Sequence, residues 1–315
     1  MTRFSTRSIR GFVCCLVLAL AIPVVPVSAQ MTARVNYFTS NSVTSDLYIP
    51  SSYNGVNPIP LMVMAHGCSQ TKTTFKNCTL MNDVAEEKGF ATLYIDGVTN
   101  IAMCWEYWHA KTQSRTAQVC EGIANIVNKV KTEYKIDSNN VWLGGFSSGA
   151  GLAVNMAAVY PDMFTGIVVA AGLPFGNSQS LSPSITAAAS AAKILEAAGT
   201  NKRLIRVLVT HGSWDLTVPQ DASVRVSSAF ATVFKSIDPN VDTTVTSTTG
   251  SVNGTAHTRY VYAKLNGEEL VVYYNVTGLT HGWMGGSGSD YSHSVARGAI
   301  DANRIAYDFF YKPLQ

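Results

Sequence analysis

The sequence predicts an α/β fold, in which helices flank a mostly parallel central sheet. Continuous apolar runs, of which residues 61–65 are the clearest, are typical of strands that are buried on both faces. Segments with helical spacing, such as residues 118–134, alternate with those runs along the chain. A glycine-flanked serine, Ser147, joins one apolar run to an alanine-rich helical segment, which indicates a sharp turn between a strand and a helix.

The individual elements follow from these patterns in order. Two alternating segments, 35–38 and 43–49, are joined by Ser-Asn-Ser and predict an opening hairpin. The other predicted strands are residues 61–65, 90–95, 141–144, 167–171, 204–210 and 270–276. The predicted helices are residues 80–88, 118–134, 151–159 and 300–310. The Ser/Ala-rich segment 178–200 stands where such folds carry a lid, and its length predicts a short lid over an open site.

The first 29 residues are predicted to be a signal peptide that is removed on export. Three arginines precede an apolar stretch at residues 11–25, and Val-Ser-Ala before Gln30 is a small-residue cleavage site. An uncleaved membrane anchor is the competing interpretation, and it is disfavoured because two prolines interrupt the short stretch. No linker divides the remainder, so we expect residues 30–315 to be a single domain, secreted to the periplasm or the extracellular space.

The charge of the chain excludes two classes of partner. The formal net charge is +3, and the leader carries three arginines and no acid, so the exported chain would be close to neutral. No basic run of five or more residues occurs. We therefore expect neither nucleic acid nor, once the leader is removed, a membrane as a partner.

Four cysteines follow the leader, namely Cys68, Cys78, Cys104 and Cys120. In an exported protein an even number indicates disulfides, in this case two bonds with three possible connectivities. A zinc site is the alternative, and the absence of any Cys-x-x-Cys pair disfavours it. We expect no metal and no cofactor.

The pentapeptide at residues 145–149, Gly-Phe-Ser-Ser-Gly, matches the G-x-S-x-G pattern of a nucleophile elbow. In such an elbow the serine hydroxyl is exposed at the top of a sheet, and a side chain at either glycine would collide with the neighbouring strand or helix. Ser148 is the competing hydroxyl, but only Ser147 has glycine two residues before it and two residues after it. Ser147 is therefore the predicted nucleophile.

A nucleophilic serine needs a histidine that accepts its proton and a carboxylate that holds the histidine. In α/β-hydrolases these groups occur in the order serine, acid, histidine, each on a loop at the end of a strand. His281 lies just after the last predicted strand and is the predicted base. The alternatives are His257, on a predicted hairpin, and His293, assigned to the closing helix.

Asp215 is the predicted acid, because it lies on the loop that follows the strand at residues 204–210. Asp221 and Asp242 are the rival carboxylates, although Asp221 resembles the first residue of a helix, where capping alone explains an acid. His211 precedes Asp215 by only four residues and is predicted to brace the loop rather than to act as the base.

The tetrahedral intermediate of acyl transfer needs two backbone N–H donors for its oxyanion, each worth about 3 kcal/mol. One predicted donor is the amide of Ser148, directly after the nucleophile. The other is expected in the loop after the strand at residues 61–65, where Cys68 is the best candidate.

Five short motifs stand at the ends of predicted strands. They are His66-Gly67-Cys68-Ser69-Gln70, Cys104-Trp105, the pentapeptide at residues 145–149, Gly172-Leu173-Pro174-Phe175-Gly176 and His281-Gly282-Trp283-Met284-Gly285-Gly286. Together they resemble the secreted esterases of the poly(3-hydroxybutyrate) depolymerase family, which also includes feruloyl and acetylxylan esterases. The resemblance extends from about residue 36 to the C-terminus.

This resemblance implies an α/β-hydrolase fold, with the oxyanion donor in the His-Gly-Cys loop. It also implies that Cys68 pairs with Cys104, which leaves Cys78 to pair with Cys120. Met284 departs from the family pattern, since many relatives have proline there. No linker and substrate-binding domain follow the catalytic domain, so efficient attack on crystalline polymer is not expected.

Several aromatic residues cluster in sequence around the predicted site. For Trp105 and Trp283, a flat platform that binds a polymer chain or a phenolic group is one interpretation. Ordinary core packing is the other, since it explains most tryptophans. The same two interpretations apply to Tyr107, Trp108 and Trp214, with the platform less favoured.

The sequence thus predicts a secreted serine esterase that hydrolyses a polyester or its oligomers through Ser147, Asp215 and His281. A feruloyl or acetylxylan esterase that acts on plant cell-wall esters is the alternative. A poly(aspartate)-type amide hydrolase is disfavoured, because the near-neutral chain offers no field for a polyanion. An inactive binding module is disfavoured because the serine, acid and histidine are all present.

Overall fold

A single sheet of ten strands organises the structure, a computed structural model that describes residues 32–97, 100–286, 300–312 and 314. In chain order the strands are β1 (Thr32–Ser40), β2 (Val43–Ile49), β3 (Ile59–Ala65), β4 (Ala91–Asp96), β5 (Ile136–Phe146), β6 (Gly166–Ala170), β7 (Arg206–Gly212), β8 (Thr246–Val252), β9 (Thr255–Ala263) and β10 (Glu269–Val276). Their order across the sheet is β1-β2-β4-β3-β5-β6-β7-β10-β9-β8. The strands from β4 to β10 in this order are parallel, and two antiparallel strands extend the sheet at each side.

Helices cover both faces of the sheet. They are α1 (Lys72–Thr79), α2 (Met81–Lys88), α3 (Gln118–Glu133), α4 (Ser148–Val159), α5 (Ala187–Ala198), α6 (Asp221–Ile237) and α7 (Ala302–Phe310). Buried side chains of α3, α4, α5 and α6 pack in one cluster with alternate strand residues such as Val63 and Val169. Buried side chains of α1, α2 and α7 pack in a second cluster, on the opposite face of the sheet. The strand residues in this cluster, such as Met64 and Val168, alternate with those in the first. This alternation explains why the central strands are apolar without a break.

The loops that follow the parallel strands all lie at one edge of the sheet, which we call the carboxyl edge. In the described ranges they comprise residues 66–71 after β3, 97 and 100–109 after β4, 147 after β5, 171–186 after β6, 213–220 after β7 and 277–286 after β10. In open α/β sheets, ligand sites are built at this edge. Every residue of the predicted site lies on one of these loops or at the first turn of α4.

The predicted order of the main elements is confirmed, apart from small differences at their ends. The opening hairpin is formed by antiparallel β1 and β2, and each predicted buried strand is present. Strands β8 and β9 form the hairpin that was expected around His257, and α6 begins at Asp221 as expected. The predicted signal peptide lies outside the described residues.

Helix α1 is not among the predicted helices, because its cap has an uncommon composition. Thr71 Oγ1 accepts a hydrogen bond from the Thr74 amide, and Thr74 Oγ1 accepts one from the Thr71 amide. This is a capping box, but the usual sequence signature has Glu or Gln at the third position. Threonine at that position conceals the start of the helix.

The predicted lid segment, residues 178–200, is mostly helical. Within it, α5 buries Ser190, Ala191 and Ile194, which places the helix on the flank of the sheet next to α6. Its alanine-rich sequence is a strong helix former. Only the part before α5 belongs to the carboxyl edge, so the lid is shorter than the sequence predicts.

One disulfide joins Cys68 to Cys104, as the family resemblance implies, with a sequence separation of 36. The implied pairing of Cys78 with Cys120 is wrong. Both are buried thiols, but Cys78 packs with α1 on one face of the sheet and Cys120 packs with α3 on the other. The sheet itself separates the two sulfur atoms.

Residues 31–315 form one compact unit. In the described ranges, no helix combines the length and the apolar composition that crossing a membrane requires.

We expect peptide mapping of the unfolded, non-reduced protein to find Cys68 crosslinked to Cys104, and Cys78 and Cys120 each alkylated. In the folded protein Cys120 should react slowly, because burial raises the pKa of its thiol to about 12. Reduction should lower the free energy of unfolding by about 3–4 kcal/mol, as expected for a loop of this length. A peptide that joins Cys78 to Cys120 would contradict the structure.

Candidate active site

Ser147 occupies the tight turn between β5 and α4, and its backbone is strained. Its φ of 54° and ψ of −117° lie outside the regions that side-chain-bearing residues usually adopt. The Ser147 amide donates to the carbonyl oxygen of Ala170 on β6 at 2.9 Å. The Ser147 carbonyl accepts from the amides of Ala150 and Gly151, at 3.0 and 3.1 Å. The neighbouring strand and helix thus hold the turn in this conformation.

The two glycines of the pentapeptide are required by close backbone contacts. A Cβ atom at Gly145 would lie 2.1 Å from the carbonyl oxygen of Gly149. A Cβ atom at Gly149 would lie 2.3 Å from the carbonyl oxygens of Ala65 and His66. Both distances are far below van der Waals contact, so the G-x-S-x-G spacing reports a real steric requirement of this elbow.

Asp215 holds His281 at the carboxyl edge. Its Oδ2 atom lies 2.7 Å from His281 Nδ1, and its Oδ1 atom accepts from the amides of Thr217 and Val218, both at 2.9 Å. The carboxylate is fully buried. Burial alone would oppose its ionisation, but the hydrogen bonds from His211, His281 and the Val218 amide outweigh that effect and hold the pKa of Asp215 well below its usual range.

His211 is a second histidine on the same carboxylate. Its Nε2 atom lies 3.1 Å from Asp215 Oδ2 and 2.9 Å from the carbonyl oxygen of Val218. Because both of these oxygens are acceptors, Nε2 must carry a proton and donate to them. Nδ1 lies 2.7 Å from Ser223 Oγ. His211 thus contacts the acid itself as well as its loop, a detail that the spacing of the sequence does not reveal.

His281 lies beside the elbow. Its ring centroid is 4.7 Å from that of Phe146, the residue before Ser147. The loops that carry Asp215 and His281 are joined by two hydrogen bonds, from the Trp214 amide to the carbonyl oxygen of Leu279 at 2.8 Å and from the Gly278 amide to Ser213 Oγ at 2.9 Å. The structure therefore brings the predicted serine, acid and base to one place at the carboxyl edge.

The rival residues lie elsewhere or outside the described ranges. Asp221 is the first residue of α6 and pairs with Arg225 at 2.7 Å, which is a structural role. Asp242 accepts from the amide of Thr244 at 2.8 Å in the turn before β8. His257 lies on β9 with its ring 5.4 Å from that of Tyr274. His293 lies outside the described residues.

The amides of Ser148 and Cys68 face no acceptor within the described residues. Both residues line the same cavity as Ser147, which has a volume of about 210 Å³. Buried or half-buried amides are almost always paired. Two amides with no acceptor among the described residues therefore lie beside the elbow.

Two contacts join the Cys68 loop to the loop after β4. They are the disulfide to Cys104 and a hydrogen bond from the Ser69 amide to the carbonyl oxygen of Ala102, at 2.9 Å. The loop after β4 is held in turn by the Trp105 amide, which donates to Ser148 Oγ at 3.3 Å. The hydroxyl of Ser148 thus ties the start of α4 to the loop after β4.

Two further residues that the sequence did not single out support this loop. Asp96, at the end of β4, lies 3.2 Å from Nε2 of the buried His66. Gln70 Oε1 accepts from the amide of Gly67 at 2.9 Å. In the sequence, the only signal for Asp96 is its position at the end of a buried strand. The other site residues likewise lie just after buried strands.

The predicted aromatic platform is wrong for Trp105 and Trp283. Trp105 is 0% exposed and Trp283 is 2% exposed, so neither ring offers a surface to a substrate. Trp105 packs 5.2 Å from the ring of His66. Trp283 packs edge-on against Phe75 at 5.6 Å, and its Nε1 donates to Asn303 Oδ1. The core-packing interpretation applies to both, because the loops that carry them fold inward.

Other aromatic and apolar side chains form the cavity wall beside Ser147. Beside the disulfide, the lining residues from neighbouring loops are Tyr107, Trp108, Leu173, Gln179, Ser180 and Leu181. The hydroxyl of Tyr107 donates to the carbonyl oxygen of Ser180 at 2.8 Å, which connects two of these loops. The wall is therefore mostly apolar and contains no charged residue.

No group of three or more histidine, cysteine or acidic side chains that could hold a metal ion occurs among the described residues.

Comparisons with known proteins find esterases among the relatives of this chain. The chain is 27% identical over 304 residues to a poly(3-hydroxybutyrate) depolymerase of Ralstonia pickettii, a match that covers 90% of this chain and 59% of the relative. It is 28% identical over 152 residues to acetylxylan esterase A of Emericella nidulans, which covers 48% of this chain and 49% of that protein. The chain thus spans only about half to three fifths of these relatives' lengths.

Two solved structures share the fold. An acetyl xylan esterase from Aspergillus awamori superposes with a TM-score of 0.64 at 19% identity, covering 89% of this chain and 98% of that one. The feruloyl esterase module from Clostridium thermocellum, an S954A mutant complexed with sinapinate, superposes with a TM-score of 0.53 at 13% identity, covering 80% and 83%. These matches establish an α/β-hydrolase fold.

The family comparison covers more than half of the sequence. Residues 43–253, which include the disulfide, the elbow and the Asp215 loop, match the family described as Esterase PHB depolymerase. The chain therefore belongs to the Esterase PHB depolymerase family.

Proposed function

We propose that the protein is a serine esterase that hydrolyses carboxylic esters, with Ser147 as nucleophile, His281 as base and Asp215 as the acid. One observation carries the proposal, namely the 2.7 Å contact between His281 Nδ1 and the buried, ionised Asp215. Since that contact uses the Nδ1 proton, the lone pair of Nε2 is left to accept a proton. A strained serine elbow stands beside the same imidazole.

In the proposed reaction, Ser147 Oγ attacks the ester carbonyl carbon while His281 Nε2 takes the hydroxyl proton. The C–O bond to the alcohol then breaks, and the alcohol leaves with the proton from Nε2. A water molecule, deprotonated by His281, attacks the acyl-enzyme, and the carboxylic acid leaves as Ser147 recovers its proton. Asp215 stabilises the imidazolium in both stages without becoming protonated.

We assign the oxyanion site to the amides of Ser148 and Cys68. Each tetrahedral intermediate places a negative charge on the former carbonyl oxygen, and prearranged amides stabilise that charge without reorganising. The unpaired state of both amides, and their position at the cavity that Ser147 lines, support this assignment.

We propose a polyester or its oligomers as the substrate. An uncharged, mostly apolar cavity suits the methylene and methyl groups of a hydroxyalkanoate. The relative named poly(3-hydroxybutyrate) depolymerase is matched over 90% of this chain. A feruloyl or acetylxylan esterase is the second candidate, supported by the superposition that covers 98% of an acetyl xylan esterase.

Two other functions are less well supported. The cavity offers no cation to a polyanionic amide such as poly(aspartate), and the contact between Asp215 and His281 would serve no purpose in an inactive binding module. We also propose that the protein acts outside the cytosol, because its leader has the pattern of a signal peptide and a disulfide joins two of its loops.

The serine assignment is tested by a pair of adjacent variants. Ser147→Ala should abolish hydrolysis of p-nitrophenyl butyrate and labelling by a fluorophosphonate, because Ser148, the other hydroxyl of the elbow, accepts from the Trp105 amide instead. Ser148→Ala should keep the labelling, since its backbone amide survives and only the hydrogen bond to the Trp105 amide is lost. Labelling that persists in Ser147→Ala and disappears in Ser148→Ala would reject the assignment.

The acid is tested by Asp215→Asn. The amides of Thr217 and Val218 would orient the new side chain with its oxygen toward them and its NH₂ toward His281. His281 Nδ1 must then accept, which moves its proton to Nε2, and kcat should fall about 10⁴-fold. Asp221→Asn is the matched control and should keep the activity, because Asp221 pairs only with Arg225 in this region.

The carboxylate of Asp215 should contribute no step to the pH dependence of kcat/KM in the weakly acidic range. Its lowered pKa keeps Asp215 ionised there, and its contribution to stability is lost only below the pKa of the unfolded carboxyl, near 3.9. The pH–rate profile should therefore show no carboxylate step above about pH 5, as judged by comparison with Asp215→Asn. A step in that range that Asp215→Asn removes would contradict this.

The substrate is tested by comparing the rates at which the protein hydrolyses different classes of ester. The protein should clear a suspension of amorphous poly(3-hydroxybutyrate) and release hydroxybutyrate oligomers, measured by turbidity and chromatography. Faster release of ferulate from methyl ferulate, or of acetate from acetylated xylan, would favour the second candidate instead. Ser147→Ala is the control in each assay.

A further inference from the structure

We propose that five exposed apolar residues around the site form a surface that adsorbs the protein to a solid, uncharged polyester. They are Ile101, Met103, Leu181, Trp214 and Leu216, which we call the apolar rim. This inference rests on the proposed function and extends it, because it concerns how a polymer surface is held rather than how its ester bond is cleaved.

The exposure of the apolar rim is unusual for large apolar side chains. Ile101 and Leu216 are fully exposed, and Trp214 is 66%, Leu181 51% and Met103 41% exposed. Single exposed apolar residues are common and need no explanation, but a group of them in one region marks an interaction site. These five occupy only three loops, those after β4, β6 and β7.

Each rim residue lies next to the machinery of the site in the sequence. Ile101 and Met103 precede Cys104, which is bonded to the Cys68 loop. Trp214 and Leu216 stand on either side of Asp215. Leu181 itself lines the cavity beside Ser147. A surface that rests on the rim would therefore present its ester groups to the cavity.

The carboxyl edge offers almost no charge to a partner. In the described loops after β3, β4, β6, β7 and β10, the acidic and basic side chains other than histidine are Glu106 and Asp215. Asp215 is fully buried, and Glu106 pairs with Lys111 at 3.9 Å. Among the described residues of this edge, an anionic polymer or a charged lipid headgroup would find no unpaired counter-charge, whereas an uncharged polymer needs none.

The composition of the rim distinguishes a polyester from a sugar polymer. Sugar rings are bound by flat aromatic faces and by many polar groups, but the two fully exposed rim residues are branched aliphatic side chains. Such side chains gain most from apolar contact with methyl and methylene groups. Trp214 is the one aromatic residue of the rim, and Trp105 and Trp283 are buried.

Adsorption is measured in the Ser147→Ala background, so that hydrolysis cannot alter the surface. The test variant adds Ile101→Ser and Leu216→Ser, and the matched control adds Val56→Ser and Leu265→Ser, which are also exposed but lie at the opposite edge of the sheet. On films of poly(3-hydroxybutyrate), the partition coefficient of the test variant should fall about tenfold or more. That of the control should stay within about twofold.

A second measurement separates this inference from the proposed function. With Ser147 restored, the double variant Ile101→Ser and Leu216→Ser should hydrolyse soluble p-nitrophenyl acetate at the wild-type rate but clear polymer suspensions more slowly.

If the wild-type protein fails to cleave the soluble ester, the proposed function fails, whatever the adsorption measurement shows. If adsorption is unchanged by the rim substitutions, or equally reduced by the control, the inference about the rim is wrong. Stronger binding to phosphatidylcholine vesicles than to the polyester film would also overturn it.

Discussion

The site depends first on the close backbone contact at the elbow. Because Gly149 has no side chain, the first turn of α4 can approach the carbonyl oxygens of Ala65 and His66, where a Cβ atom would lie at 2.3 Å. That approach brings the amide of Ser148 and the loop of Cys68 to the same cavity. The strained turn at Ser147 and the position of the Ser148 amide beside the Cys68 loop both depend on this contact.

The second constraint is the buried carboxylate of Asp215, which the interior tolerates only because donors surround it. A buried charge without partners costs several kcal/mol or more. In this protein two amides from its own loop and one nitrogen from each of two histidines satisfy its oxygens. The same donors fix the orientation of the carboxylate, so that one oxygen is directed at His281. Stability and positioning are therefore served by the same hydrogen bonds.

We propose that recognition and reaction are divided between two parts of the carboxyl edge. A cavity of about 210 Å³ beside Ser147 has room for a small acyl or alkoxy group, and Leu181 lines it, while the other residues of the apolar rim do not. Two of the tryptophans that the sequence suggested for recognition, Trp105 and Trp283, instead pack beneath the loops, against His66 and against α1 and α7. Trp214 and exposed aliphatic residues that belong to no motif are left at the surface.

The sequence by itself determined the features whose signals are local, namely the buried strands, most helices and Ser147 within its glycine pentapeptide. It also located Asp215 and His281, because parallel strands bring their carboxyl ends to one edge. Only the tertiary structure decided the burial of Trp105 and Trp283, the contact of His211 with Asp215, and the separation of Cys78 from Cys120. Right-handed crossovers that run in opposite directions along a sheet place their helices on opposite faces. The strand order β4-β3-β5 therefore separates α1 from α3, and with them Cys78 from Cys120.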